Sequence, residues 1–174
     1  MKKSTAALTL LLSVTLIAAS HLETQTVDGK TIFLIDSVYV DLLGYGHEKA
    51  TEWLNLATSR CKRIDSVAPK SQDYENALQA VQQYSPPDSE SAQLVQLARD
   101  GEWFWAEVTF AKLEPAVLLL ARTPTGLAIW DAAVWSGPTH PWSAKNTIEQ
   151  YLKTKSPPTS HRLLDCAHPS PGVF

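Results

Sequence analysis

The chain is short of the residues that most chemistry needs. It has only two cysteines in 174 residues, and they do not form a C-x-x-C pair, which argues against a zinc ribbon or a dithiol redox centre. Its five histidines, His21, His47, His140, His161 and His168, include no H-x-x-x-H or H-E-x-x-H spacing. His47-Glu48 opens a helical stretch without the second histidine a zinc helix requires, so neither a metal nor another cofactor is expected. No G-x-S-x-G elbow is present for a nucleophilic serine. There is no run of Lys and Arg, and the formal net charge is −3. Phosphate neutralisation needs clustered cations, so nucleic acid is a poor partner. The short group Arg60, Lys62 and Arg63 is better explained as cations at a helix C-terminus. After residue 20 no stretch is apolar enough to span a membrane, and no internal repeat or low-complexity segment is found.

What the chain does have begins at residue 1. Met1-Lys2-Lys3 is a basic head, Ala6 to Ala19 is an uncharged apolar run, and Ala18-Ala19-Ser20 offers small residues at a cleavage site. This is the layout of a secretory signal peptide over residues 1–20, and cleavage is expected before His21. The run is shorter than the ~20 residues of a spanning helix. No cysteine follows it to carry a lipid, so no membrane anchor is expected after cleavage. The remaining residues, 21–174, are enough for a single domain with its own core. The expected location is periplasmic or secreted, and in an oxidising compartment Cys61 and Cys166 read as one structural disulfide.

Along that domain, Asp28-Gly29 lies between two β-rich runs and marks a hairpin, with Lys30 to Val40 as its second arm. Gly44 and Gly46 interrupt the pattern. A helix is then expected from about His47 to Cys61, with Ala50, Trp53, Leu54, Ala57 and Cys61 on one face turned toward a sheet. A second helix is expected over Asp73 to Tyr84. A third is expected over Pro86 to Arg99, started by Ser85-Pro86 and ended by Gly101. Trp103–Ala111, Ala116–Arg122 and Leu127–Trp135 form a three-stranded meander, with a turn at Thr123-Pro124-Thr125-Gly126. Ser143 caps a last helix ending near Lys155. Leu163 to Cys166 is expected to be a short strand or a pinned segment, and the Pro-rich tail is expected to fray from about residue 168. The fold class is α+β: an antiparallel sheet, made of the N-terminal hairpin and the meander, with about four helices packed mainly on one face. A cystatin-like or NTF2-like roll is the nearest architecture, named as an architecture alone.

Few residues in this frame point to function. Ser136 and His140 are too close together in one loop for a catalytic dyad, which is aligned by separate rigid elements. Glu107 and Asp131 lie on meander strands, and paired carboxylates act only when they face each other across a cleft. No catalytic residue is therefore assigned. The loop from Trp135 to Trp142 stands out, because tryptophan is enriched at binding hot spots. Trp135, Ser136, Thr139, His140 and Trp142 are the expected partner-binding residues. The expected function is a non-catalytic exported binding protein that masks or inhibits a protein partner in the cell envelope, such as a hydrolase or a delivered toxin. One alternative is a small apolar-ligand binder with Trp105 and Trp130 lining a sheet–helix pocket. Another is a hydrolase whose site assembles only in three dimensions.

Overall fold

The computed structural model describes residues 22–27 and 29–174. The signal-like segment, its cleavage point and Asp28 lie outside the described residues. Three strands, β1 (Leu22–Val27), β2 (Lys30–Ile35) and β3 (Val38–Val40), form a small antiparallel sheet. The Lys30–Val40 run is thus two strands rather than one. It doubles back at Asp36 and Ser37, whose φ values of 50° and 67° are the left-handed pair that a tight two-residue hairpin turn requires. Asp tolerates that region better than most residues, which is how the break hides inside a β-rich run.

Helix α1 (Leu42–Thr58) follows directly and starts earlier than expected. Asp41 is its N-cap, with Oδ1 accepting from Gly44 N at 2.7 Å. A Cβ on Gly44 would lie 2.1 Å from the Asp41 carboxylate. The glycine that reads as a helix breaker is therefore what lets the cap close. A 3₁₀ turn, Arg60–Arg63, carries Cys61. Next come β4 (Asp65–Ser66) and α2 (Gln72–Gln82), the latter capped by Ser71.

The Pro86–Arg99 helix does not exist. Residues 88–91 form a 3₁₀ turn and Gln93–Asp100 is strand β5. It pairs with β6 (Trp103–Thr109) through a tight turn in which Asp100 faces Trp103 and Gly101 has φ +61°. The register shifts between Leu94 and Gln96. That bulge puts Leu94 opposite Val108 and Leu97 opposite Ala106, on one face, while Val95 turns outward. Ala92, Val95 and Ala98 recur at a helical spacing between Pro86 and Gly101, which is why the segment reads as a helix.

Strands β7 (Ala116–Thr123) and β8 (Gly126–Ser136) complete a five-stranded antiparallel sheet in the order β4-β5-β6-β7-β8. The expected meander is its C-terminal part. Helices α3 (Ala144–Lys155), capped by Ser143, and α4 (His161–Cys166) close the chain. The last is a short helix where a strand or pinned segment was expected. The elements make an α+β protein, but the helices are divided between the two faces of the large sheet rather than gathered on one. On one face, Phe104, Ala106, Val108, Leu118 and Leu120 pack against Ala77 and Val81 of α2. On the other, Trp105, Val117 and Leu119 pack against Ile148 and Leu152 of α3 and Leu163 and Leu164 of α4. Central strands β6 and β7 are buried on both sides, so neither face is left to water.

The tail is tied down rather than frayed. Ser170 N and Oγ both donate to Glu107 Oε2, at 2.9 and 3.0 Å, and Phe174 packs against the second core. Cys61 and Cys166 form the disulfide, with Cα atoms 5.5 Å apart and a sequence separation of 105. It joins the end of α1 to the end of α4. Among the described residues no helix is long and apolar enough to cross a membrane.

Candidate functional site

Helix α1 is docked the opposite way round from its amphipathic pattern. Its only fully buried residue is Gly44, and Glu48, Thr51, Glu52 and Asn55 are the half-buried residues on the same side. Its apolar residues face away from the body. Leu43 is 73% exposed, Trp53 68%, Leu54 54% and Leu56 80%, with Leu42 and Tyr45 beside them. The expected sheet-facing stripe of Ala50, Trp53, Leu54 and Ala57 is therefore in solvent.

Polar contacts explain the orientation. The Asp41 carboxylate joins two helix starts: beyond its bond to Gly44, its Oδ2 accepts from Ser143 N at 3.0 Å. A carboxylate at the N-termini of α1 and α3 is favoured by both dipoles. Ser143 Oγ donates to Glu48 Oε2 at 3.1 Å. Asn55 Nδ2 donates to the Asp165 carbonyl at 3.1 Å. Arg60 lies 2.9 Å from the Asp165 carboxylate, which also meets Lys153. Lys153 loses to burial but gains more from Asp165 and Glu149, and its ammonium is held above the usual lysine value. The inward side chains Glu48 and Asn55 thus have partners that an apolar residue would leave unsatisfied.

The joint has a weak point. Lys145 Nζ is buried without a hydrogen bond and sits 3.9 Å from Glu52 Oε1. His168 Nδ1, from the tail, is also buried without one. Burial, and then the Lys145 charge, hold His168 below the ordinary histidine value. The hydrogen bond from Lys49 keeps the Glu52 carboxyl below the usual range.

Beside this joint an open cleft of about 700 Å³ runs between the small sheet and α1 on one side and β8 and α3 on the other. Trp135, Trp142 and Tyr151 give it three aromatic rings, and Lys30, Asp41 and His47 give it its charged and titratable groups. Trp135 stacks edge-on against Tyr151 with centroids 5.2 Å apart, and Lys30 Nζ lies 5.5 Å from the Trp142 ring centroid.

The residues expected to bind a partner meet different fates. Trp135 and Trp142 come together in the cleft. Thr139 is buried, and His140 stacks edge-on against Tyr39 of β3. Ser136 is exposed, with its Oγ donating to the Glu114 carbonyl at 3.5 Å. The loop touches the small sheet through His140 on Tyr39 and Trp142 under Lys30. Trp105 is 2% exposed in the second core. Trp130 is 39% exposed, with its ring edge-on to Trp103 and Nε1 donating to the Lys155 carbonyl. Glu107 is fully buried against the tail, whereas Asp131 is exposed on β8. Among the described residues no three His, Cys, Asp or Glu side chains gather as a metal group.

Two surfaces escape a reading of the sequence: the outward face of α1 and the polar face of α3 in the cleft. The signal for the first is present in Glu48, Glu52 and Asn55, which recur at helical spacing opposite the apolar stripe. Both faces of α1 are regular, and only the tertiary partners decide which one turns inward. Comparison with known protein families, with curated proteins and with solved structures finds no match in any of the three.

Proposed function

We propose that this chain is an exported, non-catalytic binding protein of the cell envelope, and that it masks or inhibits a protein partner seated on the outward face of α1. One observation carries the reading: a 17-residue helix holds its polar side against the body and offers Leu42, Leu43, Trp53, Leu54 and Leu56 to the outside. Contiguous exposed apolar surface of this kind is uncommon on a monomer unless it binds something. Anchors at Leu43, Ala50, Leu54 and Ala57 follow the spacing by which an amphipathic helix lies in a protein groove. Lys62 and Arg63, exposed just beyond the helix, suit a groove with an acidic rim. Export is supported by the N-terminal charge and apolar pattern and by the disulfide. The Ser136–Trp142 loop, the other candidate surface, is the less extended one, because His140 rests on Tyr39 and Thr139 is buried.

The test is site-specific photo-crosslinking in the intact cell envelope, with the crosslinker at Leu54 or Leu56 and a control at exposed Glu75 on α2. The expected result is one adduct of defined mass from both α1 positions and none from Glu75. The captured protein, once purified, should bind the wild-type chain and not the Leu54→Glu variant. An adduct of twice the chain mass, or adducts with lipid alone, would contradict a separate protein partner.

A further inference from the structure

We propose that the cleft between α1 and α3 is a binding site for a neutral saccharide of two or three rings. This site is separate from the α1 outer face and does not depend on it. Asn146, Thr147, Gln150 and Thr154 line the cleft along one face of α3, with Tyr151 between them. Two carboxamides and two hydroxyls in a row give a polar surface without charge, in which Thr154 Oγ1 already donates to the Tyr151 carbonyl at 2.7 Å. The indoles of Trp135 and Trp142 line the same cleft, Trp135 edge-on against Tyr151. The apolar C–H faces of a pyranose stack on such rings while its hydroxyls meet amides, and the cleft supplies both surfaces together.

The hydrogen-bond inventory supports a polar guest. Gln150 Nε2 donates to Asn146 Oδ1 at 3.0 Å, and the Asn146 amide NH₂ and the Gln150 carbonyl make no side-chain hydrogen bond among the described residues. Among the described residues, Trp142 Nε1, Thr147 Oγ1 and the Tyr151 hydroxyl make no hydrogen bond within the protein. Trp135 Nε1 is already committed to the Gly137 carbonyl at 3.1 Å, so that ring offers its surface. Electrostatics argues for a neutral guest. Lys30 is the one permanent cation among the lining residues and lies over the Trp142 ring. Asp41 is the one carboxylate there, and both its oxygens are taken by backbone N–H groups. A phosphate or carboxylate ligand would find one cation offset by one anion. An alkyl chain would strip water from the amides without replacing their hydrogen bonds. The volume, about 700 Å³, lies in the range of small-molecule sites, and the open shape suits a short oligomer.

The test is a titration of the purified chain with maltotriose, cellotriose and tri-N-acetylchitotriose, followed by saturation-transfer NMR. These three cover both linkage configurations and the acetamido substituent. At least one should bind saturably with Kd of about 1 mM or tighter. Trp142→Ala should weaken that binding about tenfold or more, as expected for loss of an aromatic platform. Gln150→Ala, an exposed change that leaves the fold intact, should weaken it severalfold and serves if the tryptophan variant misfolds. Trp130→Phe, outside the cleft, should leave it unchanged. Absence of saturation with all three sugars at about 10 mM, or binding that survives both cleft variants, would overturn the proposal.

Discussion

Helices α2 and α1 show two ways of attaching a helix to the same protein. Helix α2 buries Ala77 and Val81 against Phe104, Ala106 and Leu120, and its polar residues face water. Helix α1 buries a glycine and a row of carboxylate, hydroxyl and amide side chains, and its leucines and tryptophan face water. The first attachment draws on apolar area, at about 25 cal/mol per Å² removed from water. The second rests on Asp41, Glu48 and Asn55 finding partners on α3 and α4, and on the covalent Cys61–Cys166 link. Net hydrogen-bond contributions are about 1 kcal/mol each, so the N-terminal unit is held more loosely than the sheet. The difference teaches that amphipathic pattern alone does not say which face of a helix turns inward; that depends on what its neighbours can satisfy.

This contrast can be broken at its strongest points first. Leu119→Ala, in the two-sided sheet, should cost about 2–5 kcal/mol in urea unfolding because it opens a cavity in packed core. Replacing Cys61 and Cys166 together by Ala should cost about 2–5 kcal/mol. The loss should be uneven, with faster amide exchange in α1 and α4 and little change in β6 and β7. Asp41→Ala removes the α1 cap and the bond to Ser143 and should cost about 1–2 kcal/mol, with exchange rising at the starts of α1 and α3.

Smaller effects sharpen the comparison. The folded value of His168 is depressed, so the unfolded chain holds more protons there at mildly acidic pH. The native advantage is whole above the unfolded value of about 6.5 and is lost as pH falls through the lower folded value. Glu48, Glu52 and Lys145 are the charged groups acting on that ring. His168→Gln should flatten this segment of the stability–pH curve in thermal melts. At the small end, Leu56→Ser should change stability by no more than about 0.5 kcal/mol, since the side chain is already in water. A loss as large as that of Leu119→Ala would mean that α1 is packed the other way.

Much of the large sheet is legible before any coordinates. Near-continuous apolar runs at Trp103–Phe110 and Ala116–Ala121 mark the meander, and Ser143 marks the start of α3. The same runs also signal two-sided burial, because β6 is apolar at odd and even positions alike. Helices are then needed on both faces. Strand β5 is hidden because Ala92, Val95 and Ala98 have a helical spacing, whereas the bulge at Val95 lets Leu94 and Leu97 share one face of the sheet. The start of α1 is hidden because Gly44 and Gly46 suggest a break, whereas Gly44 makes room for the Asp41 cap. The cleft is legible only in part. Trp135 and Trp142 stand out by residue type, but Lys30, Asp41 and Asn146 reach it through tertiary packing that local pattern does not encode.

The orientation of α1 is most directly tested by hydroxyl-radical footprinting of the dilute purified chain with mass-spectrometric readout. Trp53, Leu54 and Leu56 should label at rates of free side chains, independent of protein concentration, while Trp105 stays protected. Trp53 protected to the same degree as Trp105 in the monomer would contradict the outward apolar face, and with it the binding role assigned to α1.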